Sequence, residues 1–425
     1  MQIKAIMKKQ KLLLISDCAL TPSGVGVQSK FLIEGLIETG KYEVIQLGAA
    51  KYHDDMSPQK ISEDFTIIPS VGFGNKDIVR SLIASENPAA IIIFTDSRFF
   101  TYLFEMEDEI HESCPIIWWH VWDNRPTPKF NKKLYKSVDQ VNCISSLTYK
   151  MCKELNVENI DYIPHSFPEN VFYKMKDYEI KDYRRQILQS KEDWFLGVWI
   201  NRNFRRKRPA DVLKSWQIFL ENLNQDYKHK KALLIMHTDP LDPDGTNLIE
   251  VANELKITEN VRFSQKELGF DEINILHNIS DFCLNISFAE GFGLTTLQSL
   301  YTGTPIIVNK TGGLRSQIVD KKSLGYPWPQ DLTGIGLDPD VTTISGVQDI
   351  PYLNEDYVSV EKVAGSLMKM FKMSKEQRSN LGQNGISLVK REFSYKNMIE
   401  KWDNSIEETI ERFKTSNNRI RLEEL

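Results

Sequence analysis

One stretch constrains the fold of this chain more than any other: Asp281–Pro305, DFCLNISFAEGFGLTTLQSLYTGTP. Phe282, Leu284 and Ile286 form an apolar run of strand length. The chain then crosses Gly291 and Gly293 and continues with Leu294, Leu297, Leu300 and Tyr301 at helical spacing. Gly303 and Pro305 stop the helix. A strand, a glycine turn and a helix in that order present unpaired backbone N–H groups and the positive end of a helix dipole to an anion, so the stretch predicts a phosphate seat. Two polar side chains flank it, Glu290 on the loop and Gln298 on the second helical turn. Their spacing corresponds to roughly 12 Å along a helix, about the span from a sugar across a diphosphate to a ribose.

A strand–turn–helix unit needs neighbours, and the chain supplies them twice. Apolar runs at Lys11–Asp17, Tyr42–Gly48, Phe65–Ile68, Ala89–Phe94, Pro115–Trp119, Val141–Ile144 and Tyr162–Pro164 alternate with helical stretches such as Gln28–Thr39. After a charged, weakly periodic junction over His165–Asp193, the alternation resumes at Trp194–Ile200, Ala232–His237, Val261–Ser264 and Pro305–Val308. Alternation of this kind predicts α/β domains with parallel sheets covered on both faces, with ligands outside the carboxyl ends of the strands. A chain of 425 residues exceeds what one core serves, so two domains are expected. Asn222–Lys231 reads as a polar loop. Ile399, Trp402, Ile406, Ile410 and Phe413 define one apolar face of a last helix over 393–413.

Composition excludes several classes. A net charge of −5 argues against a protein that coats nucleic acid. No apolar run approaches a membrane span and residues 1–11 lack a signal-peptide core, so a cytoplasmic location is expected. Five cysteines without C-x-x-C spacing read as buried free thiols. Lys129, Lys132, Lys133 and Lys136 read as a solvated helix face, with no specific support for a peripheral membrane or nucleic-acid contact.

Individual motifs leave alternatives. The turn T-P-S-G-V-G-V after the first strand fails as a dinucleotide fingerprint, because Ser29 occupies the third glycine position and no acid ends the next strand. His120, just past a buried strand, is open to a core role, a metal role or a role in a ligand cleft, and the metal role lacks a third ligand. Five of the seven residues from Arg202 to Arg208 are basic, at the carboxyl end of the first strand of the second sheet. Asp242/Asp244 and Asp338/Asp340 are Asp-x-Asp pairs in proline-bearing loops, where turn and cap roles outweigh a metal.

Glu290-Gly291-Phe292-Gly293-Leu294 resembles the signature of the retaining glycosyltransferases of GT-B fold, family four (glycosyl transferases group 1), and the other motifs follow in the family's order. The resemblance implies two Rossmann-like doubly wound domains facing across a cleft: 1–168 for the acceptor, 169–392 for the donor, a helix 393–413 crossing back and a tail 414–425. It implies that Ser23, Gly24 and Gly26 face the donor diphosphate, that His120 points at the donor sugar, and that Arg202 and Lys207 neutralise the leaving diphosphate. Glu290 is assigned to the sugar hydroxyls, with Gly291, Phe292, Gly293, Leu294, Thr295 and Gln298 binding the donor. Arg205, Arg206 and Arg208 receive no catalytic role. No metal or other cofactor is expected; the donor is nucleotide-linked, with uridine and guanosine diphosphates first, and the acceptor is a hydroxyl of unspecified origin, on a glycan, lipid-linked sugar, small molecule or modified nucleic acid. Two departures stand out: Gln298 replaces the family's second glutamate, and Ser166 stands where glycine is usual. They keep open a non-catalytic sugar-nucleotide-binding relative, and an epimerase on the same fold is a further alternative.

Overall fold

A computed structural model of the chain describes residues 8–51, 54–318 and 332–416. The strands of the first half form one eight-stranded sheet: β1 (Gln10–Asp17), β2 (Tyr42–Ala49), β3 (Gln59–Ser62), β4 (Phe65–Pro69), β5 (Ala90–Thr95), β6 (Ile116–His120), β7 (Gln140–Cys143) and β8 (Ile160–Tyr162), in the order β3-β4-β2-β1-β5-β6-β7-β8. Every pair is parallel except β3 with β4. β3 was not anticipated, since its four residues QKIS are mostly exposed and show no apolar alternation. Central strands such as β5 are buried along their whole length, as expected for a sheet covered on both faces. Leu13, Ile15, Ile91, Ile93 and Trp118 belong to its core.

This first unit comprises residues 1–122, 127–166 and 395–425, of which the tail 417–425 and residues 1–7, 52 and 53 lie outside the described residues. Its last element is helix Tyr395–Ser416. Trp402 meets Trp119 edge to face at 5.2 Å, Asn142 Nδ2 donates to Ser405 Oγ at 2.9 Å, and the Tyr42 hydroxyl donates to Asp403 at 2.7 Å. Gly35 gives Ile399 its seat, because a Cβ there would lie 2.3 Å from Ile399 Cδ1.

The second unit comprises residues 123–126 and 167–394. Its six-stranded sheet contains β9 (Phe195–Ile200), β10 (Ala232–His237), β11 (Val261–Ser264), β12 (Phe282–Asn285), β13 (Ile306–Asn309) and β14 (Gly334–Leu337), ordered β11-β10-β9-β12-β13-β14 and wholly parallel. Phe282 pairs with Gly197 in register, and a Cβ on Gly197 would lie 2.3 Å from the Phe282 ring; the missing side chain is the space the ring fills. Trp199, Trp216, Phe219, Leu234 and Leu284 complete that core. The strand order reverses between β9 and β12, and the two loops that follow those strands are the basic run and the signature loop.

Three local expectations change. Helix Gly24–Glu38 starts four residues earlier than its apolar face indicates, so Gly24 and Gly26 lie in a helical first turn rather than in an open loop. Helix Pro209–Tyr227 runs through most of the segment read as a polar loop, because its outer face there is fully solvated. An antiparallel hairpin, β15 (Val341–Val347) with β16 (Ile350–Tyr357), follows β14 where only an Asp-x-Asp loop was expected.

Candidate active site

In the second unit, β9 ends at Ile200 and the basic run turns through a short 3-10 segment, Arg205–Lys207. Arg208 is left-handed with φ 55° before Pro209 opens the next helix, which suits proline at the first helical position. That turn decides which cations face inward. Lys207 Nζ donates to Glu290 Oε2, and Arg206 Nη1 lies 3.2 Å from the same oxygen while donating to the Ala289 carbonyl at 2.7 Å. Arg206 Nε is 3.7 Å from Asp123 Oδ2. Phe288 N donates to the Arg206 carbonyl at 3.1 Å, stitching the basic turn to the signature loop.

Electrostatics follow from this packing. Burial pushes the Glu290 carboxyl up, but the Lys207 and Arg206 charges outweigh it and hold the group at about 2. Burial, joined by the Arg206 charge, pulls Lys207 below the usual lysine range despite Glu290. Glu290 is therefore a clamped carboxylate. It is poorly suited to act as a proton acceptor or nucleophile, and well suited to accept hydrogen bonds from hydroxyls.

Glycines set the backbone around it. Gly293 caps helix Leu294–Tyr301 at φ 93°, and Gln317 Nε2 donates to the Phe292 and Gly293 carbonyls at 2.8 and 3.0 Å. The N–H groups of Leu294, Thr295 and Thr296 then head the helix, with Thr295 tied to the Ile200 carbonyl at 2.9 Å. Gly312, at φ 46°, could carry no side chain: a Cβ would lie 2.1 Å from the Glu290 carbonyl and 2.2 Å from that of Asp123. Gly313 N donates to the Glu290 carbonyl at 2.7 Å, and Glu290 N to the Asp123 carbonyl at 3.2 Å. From the hairpin, buried Asp356 accepts from Thr311 Oγ1 and Asn124 Nδ2, both at 2.8 Å, bracing the same loops.

The predicted residues are thus partly assembled. Glu290, Gly291, Phe292, Gly293, Leu294 and Thr295 form one continuous loop and helix start with Lys207 beside it. Gln298, one turn further on, is half-buried, with Oε1 3.4 Å from His277 Nε2; burial holds that imidazole at about 4 and neutral. Arg202, expected beside Lys207, faces elsewhere: it is 59% exposed and forked onto Asp242 at 2.7 Å and Asp244 at 2.6 Å. Arg206, given no role from sequence, occupies the inward position. Asp123 was likewise missed as a site residue.

In the first unit, Ser23 caps helix Gly24–Glu38, accepting from Gly26 N at 3.0 Å and donating to Asp17 at 2.6 Å. Gly26 has a packing reason to be glycine, since a Cβ would lie 2.2 Å from Thr21 Oγ1 and 2.6 Å from the Cys18 carbonyl. Gly24 is exposed at the helix start. His120 ends β6, buried against Trp118, with Nε2 2.8 Å from the Tyr135 hydroxyl and Nδ1 without a hydrogen-bond partner among the described residues. Burial lowers its pKa to about 3. Ser166, in the usual glycine position, is buried and accepts through its carbonyl from Gln28 Nε2 at 2.9 Å.

Residues 180–331 match the family model described as glycosyl transferases group 1. Among curated proteins, 78 residues are 37% identical to the D-inositol 3-phosphate glycosyltransferase of Salinispora tropica, a match spanning 18% of this chain and 16% of that relative. Among solved structures, the sucrose-phosphate synthase of Thermosynechococcus elongatus superposes with a TM-score of 0.72 at 14% identity, covering 93% of this chain and 98% of that one. Anabaena HepE in complex with UDP-glucose superposes at 0.66 and 13% identity, covering 95% and 99%. These structural likenesses show the fold, two parallel-sheet α/β domains of the GT-B type.

Proposed function

We propose that this chain, whose residues 180–331 match the glycosyl transferases group 1 model, is a retaining glycosyltransferase that moves a sugar from a nucleoside-diphosphate donor to a hydroxyl acceptor without a metal. The observation that carries the reading is the Lys207–Glu290–Arg206 cluster beside the N-terminus of helix Leu294–Tyr301. Departure of a diphosphate develops negative charge on its oxygens. Lys207, Arg206 and the free N–H groups after Gly293 are preorganised to meet that charge, the arrangement that stabilises such transition states most. Glu290, fixed as an anion, accepts hydrogen bonds from the sugar hydroxyls and orients the anomeric carbon.

Arg202 joins the diphosphate only by exchanging Asp242 and Asp244 for phosphate oxygens. That pairing also supports metal independence, because the Asp242/Asp244 pair is already neutralised by a guanidinium and Asp340 by Lys362 at 2.8 Å. His120, neutral above pH 3 or so, serves the donor sugar as a hydrogen-bonding group through Nδ1 rather than as a general acid. Ser23, Gly24 and Gly26 contribute the head of helix Gly24–Glu38 to the diphosphate, and Gln298 holds the ribose through an amide that both donates and accepts. The UDP-glucose complex of HepE makes uridine diphosphate the first donor to try. The amide at Gln298 favours one second reading, a relative that binds the nucleotide sugar without transferring it.

The test is a thermal-shift screen of UDP, GDP, ADP, CMP and their sugar conjugates with and without magnesium, followed by product analysis. One diphosphate should raise the melting temperature independently of metal, since a ligand at about a hundred times its Kd adds about 2.7 kcal/mol. Binding without turnover for any acceptor would leave the second reading, and no shift with any nucleotide would sink both.

A further inference from the structure

A charged cavity lies in the same unit, at the end of its sheet opposite Glu290. Phe195, Asp281 and Pro305, at the starts of β9, β12 and β13, line it, whereas Glu290 follows the carboxyl end of β12. Its volume is about 780 Å³, within the range of roughly 300–1,000 Å³ typical of small-molecule sites. The floor is rigid. Asp281 holds Arg184 at 3.1 Å and Arg378 at 3.3 Å and accepts from Leu196 N at 2.9 Å, and Arg184 also donates to the carbonyls of Glu192, Trp194 and Ile279. Gly382 anchors the wall helix Lys375–Glu392, because a Cβ there would lie 1.9 Å from the Gly303 carbonyl.

These guanidinium forks are already engaged, but Lys174, Lys181, Lys231 and Lys375 also line the cavity. Among the described residues, none of the four ammonium groups lies within ion-pair distance of a carboxylate. Seven Lys and Arg against four Asp and Glu give the lining an excess of three positive charges, in a chain whose net charge is −5. All four lysines are exposed at the rim of the cavity, so an anion can reach them directly from solvent. Unpaired lysines suit phosphate as point charges, and Trp194 and Phe371 add aromatic surface for an apolar body.

We infer that this cavity binds a phosphorylated small molecule of sugar-phosphate size, at a site separate from Glu290. The chemistry selects a compact phosphate ester: four separated ammonium groups around a cavity with an aromatic wall. The inference does not depend on the donor site, so the two are tested apart. Titration calorimetry with a hexose monophosphate should show one saturable site on the whole chain. In Lys231→Glu/Lys375→Glu its affinity should fall at least about tenfold, with affinity for the stabilising nucleoside diphosphate unchanged. The wild-type affinity should also weaken with added salt. Lys174→Gln provides a second variant of unreversed charge, expected to lose several-fold. No heat from wild type up to about 10 mM hexose monophosphate overturns the inference, as does an affinity unaltered in both variants.

Discussion

Replacing Glu290 by glutamine removes one charge and almost no volume, and leaves Lys207 and Arg206 facing each other without their shared anion. The carboxyl is held at about 2 against an ordinary 4.5. At about 1.36 kcal/mol per pKa unit this is on the order of 3 kcal/mol of interaction between the charged form and its surroundings. A folded pKa below the unfolded one means stabilisation that is complete above pH 4.5 and lost as pH falls through about 2. The Tm deficit of Glu290→Gln should therefore be constant from pH 8 to pH 5, and limited to a few degrees at about 2 to 4 °C per kcal/mol, because burial and the Arg206 charge oppose the charged form of Lys207 and take back part of that interaction. Losing a charge-assisted hydrogen bond of about 1.5 to 3 kcal/mol to the sugar should lower kcat roughly 10- to 150-fold. Nucleoside-diphosphate affinity should hold or tighten, because the two freed cations face phosphate alone. Scanning calorimetry, titration calorimetry and a transfer assay read the three quantities. Transfer within a few-fold of wild type, or a loss of nucleotide binding at unchanged Tm, would refute the role given to Glu290.

Other perturbations probe the rest. His120 and His165 are held near pKa 3 and His277 near 4 by burial, so below pH 6.5 the unfolded chain takes up protons the folded one refuses; stability should drop by about 2 kcal/mol per histidine at pH 5, and a Tm flat from pH 7.5 to 5 would contradict their buried placement. Gly26→Ala should destabilise by about 1 to 3 kcal/mol whether or not a nucleotide is present; weakened nucleotide binding at unchanged Tm would instead make Gly26 a ligand contact. Asp242→Asn with Asp244→Asn should release Arg202 and tighten nucleoside-diphosphate binding several-fold by calorimetry, and no change would remove Arg202 from the diphosphate. Gln298→Glu should keep or improve donor affinity while raising the pKa of His277 by proton NMR titration; a large loss of affinity would give Gln298 a different task.

The parallel sheets were legible because fully buried strands leave apolar runs that nothing else in the chain imitates. The signature loop was legible because Gly291, Gly293 and the capped helix leave a backbone pattern in the letters themselves. Arg206 was not. Among five cations in seven residues, which ones turn inward is set by the 3-10 turn at Arg205–Lys207, and one short turn carries no periodicity. Asp123 and Asp356 were missed for another reason: their partners, Arg206, Thr311 and Asn124, are distant in sequence, and a carboxylate satisfied at long range looks like any surface acid. Gly26 carries a second reason to be glycine that the letters did not show, since Thr21 and the Cys18 carbonyl leave no room for a Cβ whatever its part at the diphosphate.

The first unit is split along the chain, its last helix Tyr395–Ser416 arriving 250 positions after Ser166. On a ribosome adding about 5 to 20 residues per second, that delay is roughly 12 to 50 s. During it, Trp119 and the groove over Gly35 have no Trp402 or Ile399 to cover them, while most of the second unit emerges and can fold. The first half of this chain is therefore the last to be completed.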